Sequence, residues 1–223
     1  MKKSVLGFAA LAISLLVTNG AQAAIIFGTG NPGNAGTDNV IFNACTSNTL
    51  VGSVVNGCLQ SDHTELVNFF NANESLTVDG GQALIEDTAG DGFTQLEFGF
   101  ADATAFFTKA IFNINNVQGD TGTVTITANL SGGGTATSGP FAIANGSNFF
   151  YVETTAGELI DTIFFVSSVG VESVIFQDTR QVRLGGTGIV GTDDGIVTPE
   201  PAMLSILGVG LLAAAARLRR RRS

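Results

Sequence analysis

The chain reads as an all-β domain, and three observations predict it. Its apolar residues fall in short alternating runs, Gly, Asn, Ser and Thr fill the gaps between runs, and the runs are rich in Val, Thr and Phe. Nine runs are candidate strands: Ala83 to Ile85, Thr94 to Phe100, Thr104 to Ile114, Gly122 to Leu130, Phe141 to Ala144, Phe149 to Glu153, Asp161 to Val166, Val171 to Phe176 and Gln181 to Leu184. So many short strands predict two packed antiparallel sheets, a β-sandwich, over residues 24–184.

Ahead of that domain stand Lys2 and Lys3, an apolar stretch from Val5 to Val17, the polar Thr18-Asn19-Gly20, and Ala21-Gln22-Ala23. This is the pattern of a secretory signal peptide over residues 1–23. The small Ala21 and Ala23 suit a signal peptidase pocket, so the mature chain is expected to begin at Ala24; a retained N-terminal anchor is the other reading. Cys45 and Cys58 are the only cysteines. In a chain routed outside the cytoplasm, a disulfide between them is expected, a local staple worth about 3 kcal/mol by loop closure. A zinc site lacks ligands, because His63 is the only histidine.

A short helix is expected over Asp62 to Asn71, capped by Asp62, with a strand through Leu66 to Phe70 fitting nearly as well. In Thr94 to Phe100 the residues Leu96, Phe98 and Phe100 share one face against Gln95 and Glu97, and Gly122 to Leu130 alternates in the same way. Each of these strands therefore has one wet face. Ser131-Gly132-Gly133-Gly134-Thr135 reads as a hairpin connection, since no Lys follows the glycines as a phosphate loop requires. Seventeen Phe with one Tyr and no Trp point to aromatics used mostly as core filler.

The C-terminal stretch carries Pro199-Glu200-Pro201, an apolar run from Ala202 to Ala216, and the basic cluster Arg217, Arg219, Arg220, Arg221 and Arg222. That order of parts over residues 199–223 resembles the PEP-CTERM sorting signal of exported bacterial proteins. The resemblance implies recognition by an exosortase-type protease, cleavage near Pro199-Glu200-Pro201, and delivery to the cell surface or a biofilm matrix of extracellular polysaccharide. A plain C-terminal anchor is the alternative. Read physically, a transmembrane helix over 202–216 would span about 22 Å against a hydrocarbon core of about 30 Å. Both terminal segments place their cations on the cytoplasmic side, so the domain between them is expected on the other side. The closing runs, from Asn148-Phe149-Phe150-Tyr151 to Gln181-Val182-Arg183-Leu184-Gly185-Gly186, are similar to the last strands of jelly-roll sandwiches that precede such signals. Residues 185–198 read as a linker.

Between Ala24 and Thr198 there are 18 acids against three bases, Lys109, Arg180 and Arg183, a formal balance of −15. Nucleic acid binding needs a Lys/Arg surface and is excluded on this count. In Glu86-Asp87-Thr88-Ala89-Gly90-Asp91-Gly92, carboxylates alternate with turn-forming glycines. Glu86, Asp87 and Asp91 are thus candidate calcium ligands, against a solvated turn as the other reading. No other cofactor is implied, and no catalytic residue stands out. His63 has no nucleophile context, and acids are too many for sequence to select a glycosidase pair. The functions expected are, first, a non-enzymatic surface or matrix protein; second, a carbohydrate-binding module, calcium-assisted if Asp87 and Asp91 bind the ion; and third, a polysaccharide hydrolase. The expected partners are the secretion machinery with its signal peptidase, the exosortase-type protease, the membrane in transit, and extracellular polysaccharide.

Overall fold

The computed structural model describes residues 25–80, 83–117, 121–168 and 175–189. The expected signal peptide, most of the run Val171 to Phe176, most of the expected linker, the sorting motif and its apolar run lie outside these residues. In chain order the strands are β1 (Ile25–Thr29), β2 (Thr37–Ile41), β3 (Val51–Gly52), β4 (Val54–Leu59), β5 (Leu66–Phe70), β6 (Leu76–Asp79), β7 (Leu84–Asp87), β8 (Gln95–Phe100) and β9 (Ala105–Phe106). Then come β10 (Lys109–Asn116), β11 (Gly122–Leu130), β12 (Thr135–Thr137), β13 (Phe141–Ile143), β14 (Ser147–Thr154), β15 (Ile160–Ser167), β16 (Phe176–Gly185) and β17 (Gly188–Ile189). Among the described residues there is no helix, and the strand pairings are antiparallel.

Fifteen of these strands form a sandwich whose two layers are one continuous sheet, and β9 pairs separately with β17. The first layer runs β1-β14-β10-β16, and the N-terminal half of β16 continues into β7, β6 and β3. The second runs β4-β5-β8-β15-β11-β12, with β13 also on β11. Strand β2 belongs to both: Thr37, Asp38 and Asn39 pair with Gly185, Leu184 and Arg183 of β16, whereas Val40 and Ile41 pair with Leu59 and Cys58 of β4. Two single bridges, Phe93 to Phe176 and Phe107 to Ile160, also cross between the layers. The sheet is thereby bent almost into a barrel around one core.

That core is built from the inward residues of each strand, which alternate with outward ones as the pleat requires. In the second layer Val55, Phe69, Phe98, Ile163 and Ala128 stand in register and are fully or almost fully buried. Phe112 of the first layer joins the two sides: its ring stacks on Phe165 at 5.4 Å and meets Phe98 edge-on at 5.3 Å. Phe165 in turn meets Phe176 at 5.5 Å. Most phenylalanines are core filler, as expected, because rings of this size reach across the roughly 10 Å between packed sheets.

Several expectations are corrected. No helix forms over Asp62 to Asn71. Asp62 does cap a turn, its Oδ1 accepting from the Thr64 amide at 2.9 Å and hydroxyl at 2.6 Å, but the chain then enters β5. Burial decides this: Val67 and Phe69, two apart, both point into the core. The run Thr104 to Ile114 is two strands, because Phe107 bridges to Ile160 while the Thr108 amide donates to the Gly185 carbonyl, so the chain changes layers there. Gln181 to Leu184 is the end of one ten-residue strand that begins at Phe176 and is broken by a bulge at Gln181, where φ is +52°. The expected linker starts too early: Gly185 closes β16, and Gly188 and Ile189 pair with Phe106 and Ala105. The N-terminal third, for which no strand was expected outside Leu66 to Phe70, contributes β1 to β4 and β6.

Candidate functional site

The two outer faces of the sandwich differ in what they leave free. On the second layer, register lines up a row across six strands: Val54, Phe70, Glu97, Phe164, Thr127, Thr137. Two residues along each strand lies a second row: Asn56, Asn68, Gly99, Thr162, Asn129, Thr135. Phe70 is 40% exposed and Phe164 is half-buried, so both rings lie on the wet side. Hydrogen bonds brace the far part of this face: Asn129 Nδ2 donates to Thr162 Oγ1 at 2.7 Å, and Thr162 Oγ1 donates to Glu97 Oε1 at 2.7 Å. Glu97 is the sole charged side chain in the two rows. Gly99 has no room for a side chain: a Cβ there would collide with the Asp161 carbonyl and the Thr162 methyl, and the glycine is itself buried.

The first layer's outer face is closed over itself. The three cations of the domain gather here. Lys109 pairs with Glu153 at 3.6 Å, and Arg180 forks onto the fully buried Asp178 with two bonds of 2.7 Å. Asn115 also donates to Asp178, at 2.9 Å. Arg183 is 8% exposed and donates to Asn39 Oδ1 at 2.8 Å and Asn34 Oδ1 at 2.7 Å, which pins the turn before β2 onto β16. Tyr151, the only tyrosine, lies across Gly28. The polar groups here are largely spent on one another.

At one end of the sandwich Leu59, Ser61, Asp62, Glu65, Phe100, Ala105 and the 187–189 segment line a cleft of about 260 Å³. Burial, reinforced by Asp62 and Asp102, pushes the Glu65 carboxyl above the ordinary range. Asp62 and Asp102 shift the other way, each held down mainly by the threonine two residues on, Thr64 and Thr104. These two aspartates therefore serve as turn caps, each already accepting from a hydroxyl and an amide.

Of the residues singled out by sequence, Cys45 and Cys58 form the expected disulfide, with Cα atoms 5.5 Å apart and Cys58 wholly buried in β4. Glu86 and Asp87 alternate along β7 and point to opposite sides: Glu86 is opposite Asp178 on the outer face, while Asp87 turns inward. Asp87 accepts from the amides of Ala89, Gly90 and Gly92 at 2.9–3.1 Å. Burial works against its charge, but those amides and the Asp91 side chain outweigh it and hold its carboxyl below the ordinary range. Asp87 and Asp91 are thus brought within side-chain hydrogen-bond reach while Glu86 points away, and among the described residues no group of three or more His, Cys, Asp and Glu is placed to hold a metal. His63 is a turn residue whose carbonyl accepts from Thr46. Ala21, Ala23, Ala24, Pro199, Glu200, Pro201 and the arginine cluster lie outside the described residues.

Sequence reasoning missed the rows on the second layer. The signal was the Phe-Phe doublets: in a strand, neighbouring residues face opposite sides, so Phe69-Phe70 and Phe164-Phe165 must each put one ring outside.

Comparison with known proteins assigns one segment. The model of the PEP-CTERM protein-sorting motif matches residues 197–221, so the chain carries that motif at its C-terminus. No curated protein matches the chain. Among solved structures, it is similar to a family 29 carbohydrate binding module from Piromyces equi at 11% identity, over 74% of this chain and 89% of that one, with a TM-score of 0.27. A second structure described as a carbohydrate binding module of family 29 matches at 12% identity, over 79% of this chain and 96% of that one, with a TM-score of 0.31. Overlap this slight carries no argument about ligand.

Proposed function

We propose that the chain is an exported, non-enzymatic protein of the cell surface or the extracellular polysaccharide matrix. In this reading signal peptidase cuts after Ala23, the apolar 202–216 segment holds the chain in the membrane, and an exosortase-type protease acts near Pro199-Glu200-Pro201 to release the sandwich outward. The sorting motif at 197–221 carries the reading. The joined cysteines suit an oxidising compartment, and the strongly acidic domain suits solubility outside the cell. The test is mass spectrometry of the surface-exposed protein. Termini at Ala24 and near Pro199 are expected; a mature form that keeps Arg222 would reduce the C-terminus to an anchor.

A second reading adds carbohydrate recognition to this location, favoured by the uncharged Asn and Thr rows beside Phe70 and Phe164. It dispenses with calcium at Asp87, whose oxygens are occupied by amides. Release of reducing sugar from a polysaccharide by the purified protein, abolished by Glu65→Gln, would replace both readings with hydrolysis at the acidic cleft.

A further inference from the structure

The outer face of the second layer has three properties that together define a ligand. First, its aromatic rings are spaced, with Val54 beside Phe70 at the edge of the row. Phe70 and Phe164 stand two ladder steps apart, about 9.5 Å at the usual strand spacing. Apolar faces so separated suit a ligand that repeats along its length, whereas a protein core or lipid surface would call for a continuous patch.

Second, hydrogen-bonding groups flank the rings. The Asn68 side chain makes no hydrogen bond among the described residues, and Asn56 is bonded only through its Oδ1, to the Thr49 amide. Glu97 accepts through Oε1 from Thr162 and keeps its other oxygen free. Asn56 and Asn68 lie one row over from the rings, about 7 Å along the strands, whereas Glu97 stands between the rings in their own row.

Third, the face is nearly without charge although the domain is strongly acidic. It has no cation to meet a carboxylate or sulfate, because Lys109, Arg180 and Arg183 are engaged on the other layer. An anionic chain would meet Glu97 and the acidic field of the whole domain with nothing to offset them.

From these we infer that this face binds one chain of an uncharged polysaccharide, laid across β5, β8, β15 and β11. Its pyranose C–H faces rest on Phe70 and Phe164, and its hydroxyls meet Asn68, Glu97 and Thr127. The inference rests on the carbohydrate reading above and names the face and the ligand class.

The test is affinity electrophoresis of the exported protein through gels containing soluble β-glucan, galactomannan or alginate. Retardation is expected in at least one of the two neutral gels and not in alginate. Phe70→Ala and Phe164→Ala should each weaken that retardation by roughly tenfold. Ile26→Ala, an exposed apolar residue on the first layer, should leave it unchanged. Asn68→Ala removes one amide and no core packing, so a several-fold loss there supports the face even if a Phe variant misfolds. Retardation by a neutral gel that none of these substitutions alters would overturn the choice of face and leave carbohydrate recognition standing. Retardation by alginate alone would overturn the ligand class. No retardation in any gel, or a dimer in sedimentation that Phe70→Ala disperses, would overturn carbohydrate recognition on this face altogether.

Discussion

The two outer faces of this sandwich are made by the same chain and bent from the same sheet, yet one is closed and the other open. On the first layer each cation has been drawn into a local bond: Arg180 onto Asp178, Lys109 onto Glu153, Arg183 onto two asparagines. On the second layer the outward residues are short and uncharged apart from Glu97, with two rings left wet. Groups that bond each other stabilise the fold and are not free for a partner. Groups left solvated contribute little to the fold and remain available.

Substitutions can break this contrast. The largest effect is expected from Arg180→Ala, which leaves Asp178 buried with Asn115 as its remaining donor. Because the Arg180 head is 44% exposed, the cost is discounted from that of a fully buried pair to about 2–3 kcal/mol in urea unfolding. Next comes Asp87→Asn at the end of the same layer, about 1–2 kcal/mol at neutral pH, since three amides lose an ionised acceptor. Asp87 is depressed in the folded state, so its contribution is full above the ordinary aspartate value near 3.9 and is lost as pH falls through its lower folded value. The variant should accordingly show a flatter acid limb in a plot of stability against pH.

On the open face Phe70→Ala and Phe164→Ala should each cost about 1 kcal/mol or less by the same unfolding assay. A loss equal to that of Arg180→Ala would mean that this face is packed after all. The smallest effect, of opposite sign, belongs to Glu65→Gln. Glu65 is raised in the folded state, so it lowers stability as pH rises from the ordinary glutamate value through its raised one. The variant should gain under about 1 kcal/mol at pH 7 and nothing at pH 3, read from paired thermal midpoints.

Much of the fold was legible where a strand has one wet side. Gly122 to Leu130 alternates cleanly and is β11 to the residue. The sequence misled where a local signal was true but short. Asp62 caps a turn as a helix start would, and only the burial of Val67 and Phe69 against distant strands makes the next segment β5. Strands β2 and β4 escaped notice because Asp38, Asn39, Asn56 and Gly57 interrupt their apolar pattern; β2 also changes layers midway. The rows on the open face depend on register among strands far apart in the chain, which a single sequence does not print. The Phe-Phe doublets were the one trace of them.

Strand β16 is ten residues long and flanked by β10 on one side and by β7 and β2 on the other, while β17, just beyond it, holds to β9 by two. Under the route proposed above, in which the chain is held by its C-terminal segment before cleavage, this would set the order of mechanical failure at that stage. Drag on the domain would first peel Gly188 and Ile189 away from Ala105 and Phe106, a short unzipping that lengthens the tether and leaves the core intact. Only a much larger force, shearing β16 against β10 and β2 together, would reach the rings at the centre.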